Sequence, residues 1–69
     1  MTLAEKIIKL RKEKGWTQEK LSQKINVSRQ SLSKWELGTA IPDTENVIKL
    51  SKLFNVTTDY LMLLLTIYF

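Results

Sequence analysis

The sequence contains no cysteine and no histidine. The first absence rules out disulfide staples and thiol nucleophiles, and the two together remove the usual ligands of zinc. No side chain remains that normally titrates near neutral pH. A chain without disulfides suits the cytoplasm, which is the expected location. Glycine is down to two residues, too few for a loop that cradles phosphate. Acidic residues are scattered, with no nucleophile–base pair and no cluster of metal ligands, so neither enzyme activity nor a cofactor or metal is expected. Long apolar runs are missing as well. Glu5, Lys6 and Lys9 interrupt the N-terminal stretch, so it does not read as a signal peptide. Residues 61–69 are nearly all apolar, yet nine residues fall far short of the roughly 20 that span a bilayer, so membrane contact is not expected.

What is present fits one small folded unit, residues 1–69. Hydrophobic residues make up 43% of the 69, enough for a globule. A chain of this size buries only about 60% of the surface its unfolded form exposes, which leaves little room for a deep cleft. The net charge of +4 is unevenly placed. Residues 1–40 hold nine Lys/Arg and four Asp/Glu, whereas residues 41–69 hold two and three. A basic N-terminal part fits a polyanion such as nucleic acid, and equally an ordinary basic surface.

Apolar spacing along the chain is helical throughout, with no sustained strand-like alternation. Leu3, Ile7 and Leu10 form the inner stripe of a helix over 2–14, ringed by Lys6, Lys9, Arg11, Lys12 and Glu13, and stopped by Gly15. Thr17 caps a second helix over 18–24 with Leu21 and Ile25 inward, and Ser22 is small enough to let another helix approach. Asn26 tolerates the left-handed conformation of a tight turn. Ser28 caps a third helix over 29–37. Leu32 and Trp35 share its inner face, while Arg29, Gln30, Ser33 and Lys34 fall largely on the other side. Gly38 stops it. After a loop through Pro42, Asp43 or Thr44 caps a fourth helix over 44–54, with Val47, Leu50 and Phe54 inward and Asn55 as terminator. Thr57 or Thr58 caps a fifth, with Tyr60, Leu61 and Leu64 inward. The fold class is therefore all-α, a compact bundle of about five short helices.

The stretch 18–37 stands out. Two short helices meet at a turn of about three residues, with apolar positions Leu21, Ile25, Val27, Leu32 and Trp35, as a helix-turn-helix requires. The run GWTQEKLSQKINVSRQSLSKWELGTAIPDTENVIKLSKLFNVTTDYLM, residues 15–62, resembles the Cro/phage-repressor-like (XRE) helix-turn-helix family. TQEKLS, NVSRQSLSKWE with Gly38 two residues on, Pro42 four residues after that glycine, and the final DYL carry the resemblance. Ile7, Leu10 and Arg11 extend it into the first helix.

The resemblance implies a lambda-repressor-like DNA-binding domain whose third helix lies in the major groove of double-stranded DNA. Carried over by position, Ser28, Arg29, Gln30 and Lys34 are expected to face base edges. Arginine can pair with guanine O6 and N7, glutamine with adenine N6 and N7, and Lys34 can reach a guanine or a phosphate. Gln18, at the start of the second helix, matches a phosphate-holding position, and Thr17, Ser31 and Thr39 are further phosphate candidates. The same resemblance implies a partly buried structural ion pair between Arg11 and Glu36, with Glu36 a scaffold residue rather than an acid catalyst. Two departures are visible. Asn26 and Asn55 replace the usual glycines, and the 39–44 loop carries no Lys or Arg where many relatives place basic residues.

The expected function is sequence-specific DNA binding as a transcriptional regulator, a repressor in the leading reading, of bacterial or phage origin. The apolar tail 61–69 exceeds what one small core needs. A homodimer joined through the C-terminal part is the first explanation, ahead of a missing following segment and of membrane contact. Such a dimer would bind a pseudo-palindrome. The alternative is a protein-interaction module, antitoxin-like or an anti-regulator, that keeps the fold without the DNA role.

Overall fold

The computed structural model describes residues 1–63. Five helices follow one another: α1 Leu3–Glu13, α2 Gln18–Lys24, α3 Arg29–Leu37, α4 Thr44–Phe54 and α5 Thr58–Met62. No strand occurs among the described residues. Ile7, Leu21, Leu32, Leu50 and Leu61, one from each helix, are completely buried in one apolar cluster. Leu3, Leu10, Ile25, Trp35, Val47 and Phe54 complete it. Leu64, expected to face inward, and the greater part of the 61–69 tail lie outside the described residues. Among the described residues no helix is long and apolar enough to cross a membrane.

Each helix starts on a short polar side chain that accepts a hydrogen bond from the backbone N–H three residues on. The pairs are Thr2 with Glu5, Thr17 with Lys20, Ser28 with Ser31, Asp43 with Asn46 and Thr57 with Tyr60. Each cap satisfies an amide the helix itself cannot, for about 1 kcal/mol apiece. At α1 the arrangement is reciprocal, because the Glu5 carboxylate accepts from the Thr2 N–H at 2.8 Å. That bond, followed by the one with the Thr2 hydroxyl, holds the Glu5 carboxyl below its ordinary range.

The first four helices end alike. Gly15, Asn26, Gly38 and Asn55 take positive φ of 73, 58, 78 and 56°. The next residue then donates its N–H to the carbonyl five positions back: Trp16 to Arg11, Val27 to Ser22, Thr39 to Lys34 and Val56 to Ser51, at 3.0–3.1 Å. This is the Schellman closure, in which the residue after the left-handed one commonly folds onto the helix it ends. Trp16, Val27 and Val56 do so and pack against the core. Trp16 also lies 5.8 Å from the Phe54 ring, centroid to centroid.

α5 lacks such a terminator, and the difference corrects one expectation. Lys6, placed by its spacing on the polar face of α1, is buried instead. Its Nζ donates to the Tyr60 and Leu63 carbonyls and sits 4.8 Å from the centre of the Tyr60 ring. A five-residue helix leaves its last carbonyls unpaired, and an ammonium group there satisfies both hydrogen bonding and the helix dipole. Lys49 of α4 acts similarly on α2, donating to the Ile25 carbonyl at 3.3 Å.

The left-handed turns give the first prediction. Asn26→Val should destabilise the fold by about 1–2 kcal/mol, the cost of positive φ for a residue with a full side chain, and Asn26→Gly should not. Urea denaturation of the two variants checks this. Equal losses for both would mean that the asparagine side chain, rather than its backbone, matters at the turn.

Candidate nucleic-acid interface

α3 packs against both α1 and α2. Leu32, Trp35 and Glu36 form its buried side. Because a helix turns 3.6 residues at a time, burying those three pushes Arg29, Gln30 and Lys34 outward, and all three are exposed. Gln30 and Lys34 are one turn apart on the same face. Ser33, grouped with them from spacing, is half-buried.

The orientation of α3 is locked at its C-terminal end. Arg11 Nε donates to Glu36 Oε2 at 2.7 Å, and its Nη2 donates to Oε1 at 3.0 Å. The third guanidinium nitrogen, Nη1, donates to the Trp16 carbonyl at 2.8 Å. Gln18 Nε2 adds a donor to Glu36 Oε1 at 3.0 Å. The Arg11 and Glu36 side chains are only 12% and 5% exposed. The hydrogen bond to Glu36 is the main reason that the Arg11 guanidinium holds its proton more tightly than usual, against the opposing effect of burial. One carboxylate thus binds α1, α2 and the segment between them to α3. The ion pair implied by the resemblance is present.

The remaining sequence-derived positions fall at helix ends. Ser28 and Thr17 spend their hydroxyl oxygens as acceptors on the caps of α3 and α2. Ser28 Oγ also donates to Ser31 Oγ at 3.0 Å, so these two hydroxyls are joined in the first turn of α3. Thr39 Oγ1 donates to the Lys34 carbonyl at 3.3 Å and closes the other end. Gln18 Nε2 spends one of its two N–H donors on Glu36, and the Gln18 backbone N–H lies in the first turn of α2, where a helix N-terminus favours an anion.

Some cations outside α3 are engaged, whereas Lys12, Lys14, Lys20 and Lys52 are exposed and, like the outer face of α3, take part in no salt bridge among the described residues. Lys9 pairs with Glu13 and Lys49 with Glu45, both at 3.6 Å. Lys24 lies 4.8 Å from the Trp16 ring centre. Among the described residues, Arg29 and Lys34 pair with no carboxylate. The first turn of α3 holds no acidic residue either. The N-terminal half of α3 therefore shows one free guanidinium, one free amide and, a turn later, one free ammonium. Hydrogen-bond donors predominate in that set, as suits phosphates and purine edges.

A family model described as helix-turn-helix matches residues 7–61. The chain belongs to the Cro/phage-repressor-like helix-turn-helix family. This is a family of DNA-binding transcriptional regulators rather than enzymes. Over 90% of its length the chain is 39% identical to the HTH-type transcriptional regulator ImmR of Bacillus subtilis, covering 49% of that protein. It is 44% identical, again over 90% of its length, to the HTH-type transcriptional activator BcrR of Enterococcus faecalis, covering 30% of it. The chain thus spans half or less of these curated relatives. Among solved structures it superimposes on the P22 c2 repressor in complex with a synthetic operator, with a TM-score of 0.85 and 32% identity over 90% of this chain and 94% of that one. The lambda-repressor-like fold expected from the sequence is the one observed.

The ion pair gives the second prediction. Glu36→Ala strands the Arg11 guanidinium in a nearly closed site and should cost about 3–5 kcal/mol. Arg11→Met combined with Glu36→Leu should cost clearly less than the single change. Thermal or urea unfolding of both variants checks the order, and a double variant as unstable as the single one would contradict it.

Proposed function

We propose that this chain is the DNA-reading domain of a sequence-specific transcriptional regulator, with α3 seated in the major groove. The observation that carries the reading is the unpaired polar face of α3, held outward by the buried Arg11–Glu36 pair. Arg29 reads guanine and Gln30 reads adenine through paired hydrogen bonds, while Lys34 takes a guanine or a phosphate. Ser28 approaches the bases from the start of the helix. The backbone N–H of Gln18, together with Thr17, Ser31 and Thr39, holds phosphates on either side. The repressor–operator complex of the P22 relative supports this arrangement.

Two finer points complete the proposal. The chain acts as a pair joined through its C-terminal part, so that two α3 helices lie about 34 Å apart on a pseudo-palindromic operator. Pairing offsets the weak phosphate grip of the 39–44 loop, which has no basic residue. Regulation is repression by occupancy of a promoter in the cytoplasm, since binding alone achieves it and no cofactor is required.

Alanine at Arg29 should weaken binding to the preferred sequence by about 1–3 kcal/mol, roughly 5- to 150-fold, and relax specificity at one base pair. Alanine at Lys34, if it meets phosphate, should weaken all sequences alike and lower the salt slope by about one. Anisotropy titrations at several salt concentrations read both effects. Affinity that ignores both substitutions, or that barely responds to salt, would reject α3 as the reading helix and favour the protein-interaction module.

A further inference from the structure

A hollow of about 490 Å³ opens between the C-terminal parts of α2 and α4, lined by Lys24, Ile25, Asn26, Lys49, Lys52 and Leu53. Three lysines meet there with no acidic residue in the lining. Lys49 and Lys52 are the two cations of residues 41–69, and the fold sets both beside Lys24 from the basic N-terminal part. Ile25 is buried and Leu53 half-buried, so an apolar floor lies among the ammonium groups. None of the exposed residues of α3 lines this hollow, and Lys24 stands at the opposite end of α2 from Gln18.

Stability does not account for the convergence. One cation in the last turn answers the negative end of a helix dipole, and Lys24 and Lys52 occupy the last turns of α2 and α4. Lys49 also caps the end of α2 through the Ile25 carbonyl and pairs with Glu45. The charge that remains is surplus, and it stands next to its own kind. Lys20 and Lys24 are four residues apart on α2, and Lys49 and Lys52 three apart on α4, spacings at which like charges repel. Lys24 and Lys52 are exposed and join no salt bridge among the described residues. Lys24 rests 4.8 Å from the centre of the Trp16 ring, a contact that places the ammonium group without neutralising it.

The chemistry of the lining selects among anions. Phosphates favour helix N-termini, where backbone N–H groups are free, whereas helix C-termini present carbonyls. An anion in this hollow is therefore held by lysines, point charges on flexible stems with no arginine fork among them. Carboxylates spaced along a peptide suit that arrangement, and an apolar side chain between them covers Ile25 and Leu53. A nucleic-acid backbone offers nothing to the apolar floor. The geometry points to a second docking site, in which the hollow between α2 and α4 takes an acidic segment of a partner protein with one large apolar side chain at its centre. The site shares no residue with the outer face of α3, so the partner is held whether or not α3 is occupied.

The test uses the full chain, free of DNA, so its outcome is independent of the DNA reading. The probe is a short synthetic peptide of glutamates around one phenylalanine, titrated while the amide resonances of the chain are followed by NMR. Shifts should centre on residues 24–26 and 49–53, and affinity should fall with added salt. Lys24→Gln with Lys52→Gln should keep the helical circular dichroism and weaken the peptide about fivefold or more. Lys12→Gln with Lys14→Gln removes the same charge from exposed positions elsewhere and should weaken it by less than about twofold. Both pairs should lower the retention of random duplex DNA alike. The inference is overturned by shifts spread over the basic surface or centred on α3, by equal effects of the two pairs on the peptide, or by a peptide with alanine for phenylalanine that binds as well. A loss of duplex retention much larger for the Lys24 and Lys52 pair would also overturn it, marking the hollow as a nucleic-acid contact.

Discussion

Glu36 accepts hydrogen bonds from Arg11 Nε, Arg11 Nη2 and Gln18 Nε2, and through Arg11 it is joined to the Trp16 carbonyl. Among the described residues no other side chain ties so much of the fold together. Three helices and one connecting turn converge on a carboxylate that is almost sealed from water. In such a site a carboxylate persists only with its charge and its lone pairs both answered, and here they are. The pair is weak evidence for net stability, since an apolar replacement could serve the packing as well. What it supplies is a fixed rotation of α3. A helix packed by Leu32 and Trp35 alone could slide or roll by part of a turn. Anchored at Glu36, it carries Arg29, Gln30 and Lys34 at a defined angle, which is the condition for reading base edges by hydrogen bonds whose geometry is strict.

Most of this architecture was legible in the residues, because the sequence is punctuated locally. Thr, Ser or Asp opens each helix, and Gly or Asn closes the first four. These signals act within five residues, so they can be read without knowing the fold. The bounds of α2, α3 and α4 follow from them, and the inner faces follow from helical spacing. Asp43 rather than Thr44, and Thr57 rather than Thr58, turn out to be the caps, a distinction that spacing alone did not make.

Contacts across long sequence separations were not legible. Lys6 looks like any lysine on a basic helix, and only the arrival of α5 fifty-four residues later gives it carbonyls to cap. Lys49 meets the end of α2 for the same reason. Trp16 follows a helix-stopping glycine, and that position could have marked it as an apolar cover. Its partners Phe54 and Lys24, however, come from two other helices. Gln18 shows the limit most clearly. Its place at the start of α2 suggests a phosphate contact, and only the fold shows that one of its two side-chain N–H donors goes to Glu36, eighteen residues on. The Arg11–Glu36 pair itself came from family resemblance, since nothing local in the sequence brings positions 11 and 36 together.

The scaffold thus converts buried order into an exposed alphabet of a few donors. The claim that this face reads DNA by sequence is tested most directly by selection. The purified full chain is offered a pool of random duplexes at moderate salt, and the retained DNA is sequenced. The account predicts enrichment of a pseudo-palindrome whose half-sites lie about one helical turn apart, about 34 Å. Retention of DNA without any preferred sequence, by a chain shown to be folded, would contradict it.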